Sequence, residues 1–515
     1  MSKGTIKFFL YQKDFSEKGN DRYFILENDY FKEVDLKYIV SIDCFLVTHD
    51  FWLISSSIFK KCRTLPKKII DVVLLGKIIS GTKPINGGVQ SWDVHKAMDS
   101  LFHNKKDLES YFSMYYRRSE LDLNIYLLFS HKLSEYFDIL SKSAHELGER
   151  ERFYKLELPI FNLLTLSSCK GIRVDNNIVR NHKIALKYDY YRDLKVFSEK
   201  HNVMYELPNE QAVIEKLTAL GYDVEGYSID FLIDLLPSKD GYTLDLRKLQ
   251  KTYKSYRVLS SISVSSSRLH PIVESHWTTT SRIYHKSPSI QNISKKYRDI
   301  FIPDKGKTLC YVDYDQFEVG VMAFISSDAM MVEIYNNSDA YEDLSLKVFN
   351  DKNMRKKAKL LFLSYTYGMS MENILRSVSE LGGDVVEAKN YFSGFKDFEI
   401  WKTSIWDAFL KNGKIATING NLLKRVSDKE LTDKEKRSSV NHVIQGTATY
   451  IFKLALLELS KIDGLDVLIP MHDAVLVQHD DKVKPESIKM VFERVMSEVL
   501  PGIEGKASIE SFFTV

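Results

Sequence analysis

Strand-like and helical runs fall in separate blocks along this 515-residue sequence, which predicts an α+β architecture. Three observations carry that expectation. Short β-rich runs (TIKFFLY, RYFILE, YIVSIDCFLV) gather between residues 5 and 80. Helical spacing fills 92–167 and most of 176–260. Two further β-rich regions, KTLCYVDYDQF and LDVLIPMHDAVLVQ, flank a long run of helices. The length suggests about three domains of ~150 residues.

In chain order, KKIIDVVLLGKII reads as an apolar helix and Gly81 to Ser91 (GTKPINGGVQS) as a turn-rich break. A domain boundary is expected near residue 150, before ERFYKLELPIFNLL, and Cys169-Lys170-Gly171 ends a helix ahead of the short strand IRVD. Pro208-Asn209 and Pro237-Ser238 interrupt the next helical block. Within it, LRKLQKTYKSYR spaces Arg247, Lys251 and Lys254 on one face, which suits phosphate tracking or plain solvation equally. MRKKAKLLFLSYTYGMS reads as a helix closed by Gly368. Thr432-Asp433-Lys434-Glu435 has the form of a capping box opening a helix through Leu459. No internal repeat is visible.

Composition excludes some classes and chooses none. Hydrophobic residues at 44% and charged residues at 27% are ordinary for a packed chain and exclude wholesale disorder. Lys+Arg total 72 against 69 Asp+Glu, a net +3, so a polyanion partner is neither announced nor excluded. No stretch reaches the ~18 uninterrupted apolar residues of a membrane span; Asp43, His49 and Asp50 break the Tyr38 to Phe59 region. MSKGTIKFFLYQKDF lacks the h-region and cleavage site of a secretory signal. Cys44, Cys62, Cys169 and Cys310 form no CxxC pair, which argues against a zinc knuckle or disulfide framework and for a reduced, cytoplasmic setting.

The residues with chemistry to offer lie after 280. Asp313 and Asp473 each stand at the end of a β segment, and convergent carboxylates are what two divalent cations need in an in-line phosphoryl displacement. Alone, each is better explained as a turn cap. Arg355, Lys359, Leu363 and Tyr367 recur every four residues, so two cations and a ring share one helical stripe suited to phosphates and a base. Arg437, Asn441 and Gln445 form a second such file, suited to minor-groove acceptors.

These segments together resemble family A DNA polymerases, the group of bacterial DNA polymerase I. DYDQFE resembles the family's first polymerase motif, RKKAKLLFLSYTYG its second and MHDA its third; RSSVNHVIQGTATYIFKLA lies between the last two. SRIYHKSPSIQNIS resembles the primer-template segment and ELPIFNLLTLSSCKGIRVD the opening of the polymerase domain. The matches run in family order over residues 157–515, about 70% of the chain. The resemblance implies catalysis at Asp313 and Asp473, with Asp313, Tyr314 and Asp473 as metal ligands. It implies nucleotide binding by Gln316, Glu318, Arg355, Lys359, Leu363 and Tyr367, with Glu318 screening the sugar. It places Arg282, Gln291, Asn292, Arg437, Asn441, Gln445 and His472 on DNA.

The implied fold is a right hand preceded by a degenerate ribonuclease-H-like 3′-5′ exonuclease domain. Its expected divisions are 1–150 for the exonuclease-like domain, 151–275 for the thumb and start of the palm, 276–345 for the palm with the first carboxylate motif, 346–430 for the fingers and 431–515 for the palm with the second. The implied activity is template-directed extension of a primer 3′-hydroxyl with deoxynucleoside triphosphates, using two Mg2+ ions for which Mn2+ can substitute. The partners are primer-template DNA, dNTPs and unnamed replication proteins, in a bacterium or infected host cell. A phage-type single-subunit RNA polymerase and a catalytically idle DNA-binding homologue are the alternatives.

The departures are specific. Ala474 replaces the acid that usually follows the HD pair, Leu363 the usual Phe or Tyr, and Tyr341 a common His. In the N-terminal region Leu10 and Gln12 occupy the expected exonuclease carboxylate positions, Ile54 that of a later Asp, and Tyr116 with Glu120 form at best a remnant of the third motif. Asp43 or the Asp107-x-Glu109 pair would need another register. Proofreading is therefore expected to be lost.

Overall fold

A computed structural model of the chain describes residues 6–16, 18–27, 29–81, 93–221, 224, 229–235, 241–427 and 429–514. Five strands near the N-terminus, β1 (Ile6–Gln12), β2 (Arg22–Glu27), β3 (Tyr30–Val34), β4 (Phe45–Thr48) and β5 (Ile69–Asp71), form one sheet in the order β3-β2-β1-β4-β5. β2 pairs antiparallel with both β1 and β3, while β4 pairs parallel with both β1 and β5. Crossing from β4 to β5 requires a helix, supplied by Trp52–Cys62.

Two expectations for this region are corrected. The run YIVSIDCFLV is not one strand: Asp35 caps a helix over Leu36–Ser41, and only Phe45–Thr48 is extended. The run KKIIDVVLLGKII begins with β5, and the helix starts at Val72, where the Asp71 side chain accepts from Val73 N. A cap residue outranked the apolar pattern in both places. Residues 82–91 of the expected break and Pro237-Ser238 lie outside the described residues.

The second sheet has four strands, β6 (Thr308–Tyr314), β7 (Leu465–Pro470), β8 (Ala474–His479) and β9 (Ala507–Glu510), in the order β7-β8-β6-β9, all antiparallel. Its alternation divides two cores. Cys310, Val312, Tyr314, Val475, Val477 and Ala507 face the largest apolar cluster, while Tyr311, Ala474, Leu476 and Phe512 face a smaller one.

The elements used below are α1 (Leu158–Lys170), α2 (Asn176–His201), α3 (Tyr242–Ser260), α4 (Phe317–Ser326), α5 (Ala340–Phe349), α6 (Arg355–Thr366) and α7 (Asp433–Leu459). α2 and α3 pack as a pair, with Tyr190 stacked on Tyr256 at 5.4 Å. The capping box of α7 is formed as expected: Glu435 N donates to Thr432 Oγ1 and Thr432 N to Glu435 Oε2. Among the described residues no helix is long and apolar enough to cross a membrane.

A buried ionic cluster ties these parts together. Lys453 of α7 donates to Glu157 at 2.7 Å and to Ser281 Oγ at 2.5 Å, and both Lys453 and Glu157 side chains are fully buried. Arg152 bridges Glu149 and Glu157 at 2.5 and 2.6 Å, and Glu149 accepts from Leu422 N. Burial alone would raise the Glu157 pKa; the Lys453 and Arg152 cations overcome it and hold the carboxyl down at about 2.

Candidate active site

Asp313 is the penultimate residue of β6, and Asp473 immediately precedes β8. Tyr314 N donates to the Asp473 carbonyl at 3.2 Å, which locks the two carboxylate-bearing segments edge to edge. Burial, then the charges of Asp473, Glu510 and Asp315, push the Asp313 pKa up to about 7 against the opposing Lys295 cation. The Oδ1 atom of Asp313 is buried and has no hydrogen-bond partner among the described residues. A crowded pair of hard oxygen donors with an orphaned acceptor fits divalent magnesium or manganese. The Tyr314 ring is stacked on Phe317 at 4.1 Å and its hydroxyl donates to Phe492 O, so only its main chain is left to a cation. Among the described residues no three His, Cys, Asp or Glu side chains are arranged to hold an ion by themselves.

The β6–β8 register puts Ala474 directly opposite Asp313 on the same face. The methyl is fully buried in the smaller core. The acid absent at this position would therefore have faced Asp313.

On α4, Glu318 is the hub of a polar contact set. Its Oε2 accepts from the Tyr367 hydroxyl at 2.5 Å and its Oε1 from Arg282 at 3.1 Å. Gln445 lies against the same tyrosine hydroxyl. Burial first, then the Glu318 charge, raises the Tyr367 pKa well above its ordinary value, so the phenol stays a donor. Three segments that are distant in sequence thus meet at one carboxylate.

The stripe on α6 is present, and its cations have neighbours. Arg355 pairs with Asp339 through two nitrogens, at 2.5 and 3.2 Å, and Lys359 is exposed. Leu363 is half-buried, against the main core. Arg437 is exposed and Asn441 half-buried, with a buried Oδ1 atom that has no partner among the described residues. His472 is exposed beside Asp473, and Asn292 is exposed and donates to Ser289 Oγ.

Two of the expected contact residues also hold backbone. The Gln316 side-chain carbonyl accepts from Ala340 N at 2.7 Å and clamps α5. Gln291 is buried; its side-chain carbonyl accepts from His285 N at 3.1 Å, while its amide nitrogen has no partner among the described residues. Of the basic trio on α3, Arg247 pairs with Asp234 at 2.5 Å, leaving Lys251 and Lys254 exposed. Sequence reasoning missed Asp339 and Glu510. A turn acid before a helix was the available signal for Asp339; for Glu510, strand pairing had to be known.

The N-terminal sheet has a different interior. Leu10 and Ile54 are buried apolar residues, and the Gln12 amide donates to Met114 O at 2.9 Å. The Tyr11 hydroxyl meets Tyr115 at 2.6 Å and Asp50 O at 2.6 Å, and His49 meets Tyr111 at 2.8 Å. Tyr116 and Glu120 are exposed, Asp43 pairs with Lys68 in a loop, and Asp107 and Glu109 sit on the helix Lys105–Tyr115. A cavity of about 590 Å³ lies between this sheet's helices and the segment Ile272–Glu274, with Asp50, Asp71, Lys77, Arg118, Glu274 and Lys286 in its wall.

Paired strand-end carboxylates beside a cation-bearing helix define the class of nucleotidyl-transfer folds. A family model, DNA polymerase family A, matches residues 228–506, more than half of the chain. The chain belongs to DNA polymerase family A. It is 24% identical over 391 residues to DNA polymerase I of Caldicellulosiruptor bescii, covering 68% of this chain and 45% of that protein. To DNA polymerase theta of Caenorhabditis elegans it is 29% identical over 281 residues, covering 50% of this chain and 17% of that one. The chain thus spans about half the length, or less, of the curated relatives it matches. Among solved structures it is similar to the POL domain of Pol1 from M. smegmatis, determined in complex with DNA primer-template and dNTP. The TM-score is 0.74 at 17% identity, over 98% of this chain and 94% of that one.

Proposed function

We propose that the chain is a template-directed DNA polymerase that extends a primer 3′-hydroxyl with deoxynucleoside triphosphates and does not proofread. The observation that carries this reading is the Asp313 oxygen left without a partner beside Asp473, inside the segment matched by the family model. The four-stranded sheet is the palm, 346–430 the fingers, α2 and α3 the thumb, and residues 1–150 a degenerate exonuclease-like module.

Asp313, Asp473 and the Tyr314 carbonyl would hold two magnesium ions, which when bound supply charge neutralisation for hydroxyl attack and pyrophosphate departure. The remaining work belongs to the chain. Arg355 exchanges its Asp339 partner for phosphate oxygens, and Lys359 adds a second cation one turn on. Tyr367 and Arg282 pin the Glu318 carboxylate from two sides, so it stands as a fixed obstacle to a ribose 2′-hydroxyl. Arg437, Asn441, Asn292 and His472 face the primer-template duplex.

The test is primer extension with deoxy- and ribonucleotides by the wild type, Asp313→Ala and Asp473→Ala. Extension with deoxynucleotides by the wild type alone, with primer-template binding retained by both variants, is the expected result. Ribonucleotide preference would make the chain an RNA polymerase; wild-type binding without extension would make it an idle homologue. A mismatched 3′ primer with Mg2+ or Mn2+ and no nucleotides should keep its length; shortening by Asp313→Ala protein would restore proofreading to the N-terminal module.

A further inference from the structure

Tyr341 stands on the first turn of α5, where the family resemblance led one to expect His, and it is 3% exposed. The Arg355 guanidinium lies 5.5 Å and the Lys359 ammonium 5.4 Å from its ring centroid. One buried ring therefore touches both cations of the α6 stripe. We propose that Tyr341 is a positioning residue: its neutral ring face holds Arg355 and Lys359 side by side for the triphosphate of the incoming nucleotide. This rests on the polymerase reading above and adds a residue to it.

Like charges four residues apart on a helix repel, and unsupported they swing away from each other. A carboxylate between them would hold both but would also neutralise the charge a triphosphate needs. The quadrupole of an aromatic ring attracts each cation while leaving its charge intact. Asp339 does not fill this role for the pair. Its Oδ2 takes Arg355 alone, and its Oδ1 is spent on the backbone N–H groups of Tyr341 and Glu342. Lys359 makes no ion pair with any described residue, so the ring is what orients it.

The ring is itself fixed. Gln316 clamps α5 through Ala340 N at 2.7 Å, and Phe362 of α6 meets the Tyr341 ring edge-on at 5.8 Å and 78°. This gives the Gln316 clamp a purpose: it anchors the turn that carries the platform. The arrangement also separates two properties of tyrosine, because the proposal needs the ring and not the hydroxyl.

The experiment compares Tyr341→Phe with Tyr341→Leu in the full chain. Four quantities are read: KM for dNTP, kcat, primer-template Kd and the inhibition constant of inorganic tripolyphosphate. Tyr341→Phe should stay within about twofold of wild type in all four. Tyr341→Leu should raise KM and the tripolyphosphate constant about tenfold, with kcat and primer-template Kd nearly unchanged. If Tyr341→Leu melts early, Tyr341→Met fills more of the same volume without a ring and gives the same reading. An unchanged tripolyphosphate constant in a folded ring-less variant overturns the proposal. So does a Phe variant as impaired as the Leu variant. Should the wild type fail to extend primers, the polymerase reading fails separately, and direct tripolyphosphate binding to the Phe and Leu variants still decides the platform.

Discussion

Two clusters of buried charge in the protein are treated in opposite ways. Around Lys453 each carboxylate faces a cation: Glu157 meets Lys453 and Arg152, and Glu149 meets Arg152 and a backbone N–H. Around Asp313 the neighbours are mostly acids, and one carboxylate oxygen has no donor among the described residues. The first cluster is a joint, crossing from the end of the N-terminal module through α1 to α7 and the turn before Arg282. The second is a cluster of like charges with an unpartnered acceptor, the pattern that marks candidate functional sites. In the N-terminal sheet Tyr11 pairs with Tyr115 and His49 with Tyr111, while burial and the Asp50 charge push the Asp71 pKa up to about 7 although both its oxygens accept backbone N–H groups.

The contrast is open to direct attack. Its largest expected effect is in catalysis. Asp313→Asn should reduce extension to background while leaving the unfolding midpoint in denaturant at or above that of the wild type. The sign follows from the raised pKa: the folded protein holds an extra proton between about pH 4 and 7, so stability falls as pH climbs through that window. Removing the charge removes that fall, and unfolding measured at pH 5 and pH 8 reads it.

At the joint the outcome should reverse. Glu157→Gln leaves Lys453 and Arg152 facing an uncharged amide, a loss of about 3–5 kcal/mol, with specific activity of the remaining folded protein retained. In the wild type the Glu157 contribution is present above about pH 4.5 and lost as pH falls toward 2, the opposite slope to that of Asp313. Equal losses of stability from Asp313→Asn and Glu157→Gln would erase the distinction.

A smaller effect lies in the metal requirement. A proton and a cation compete for Asp313, so the Mg2+ concentration for half-maximal extension should rise by up to about tenfold per pH unit below 7. A requirement flat between pH 6 and 8 would mean that neighbouring acids do not govern the site.

The smallest expected effect concerns the sugar. Glu318→Ala should raise ribonucleotide incorporation relative to deoxynucleotide. Tyr367→Phe, which removes one of two donors to that carboxylate, should do so by less than Glu318→Ala, because Arg282 still holds the carboxylate. With Leu363 offering no phenol, dideoxynucleotides should compete poorly against deoxynucleotides in single-turnover assays. Equal use would show that Leu363 does not face the sugar.

Much of this site was legible one segment at a time. Thr432 and Glu435 announce the start of α7, and the alternation of KTLCYVDY announces β6 with Asp313 near its end. The four-residue spacing from Arg355 to Tyr367 puts those side chains on one stripe before any folding is considered. What misled was local as well: Asp35 and Asp71 turn apolar runs into helix starts, because a cap bond outweighs a strand-like pattern. The backbone N–H groups that the Gln316 and Gln291 carbonyls accept from are brought near only by the folded chain.

Caps, stripes and strand alternation are written in residues a few positions apart, since helix bonds and the pleat act over that range. Which charge meets which is not. Lys453 and Glu157 are 296 residues apart, Tyr367 and Glu318 are 49, and Ala474 faces Asp313 only through the β6–β8 register. A carboxylate's behaviour depends on how much water is removed around it and on which cation arrives when it is. Both are properties of packing, so a carboxylate is a paired joint at Glu157 and a crowded, raised acid at Asp313.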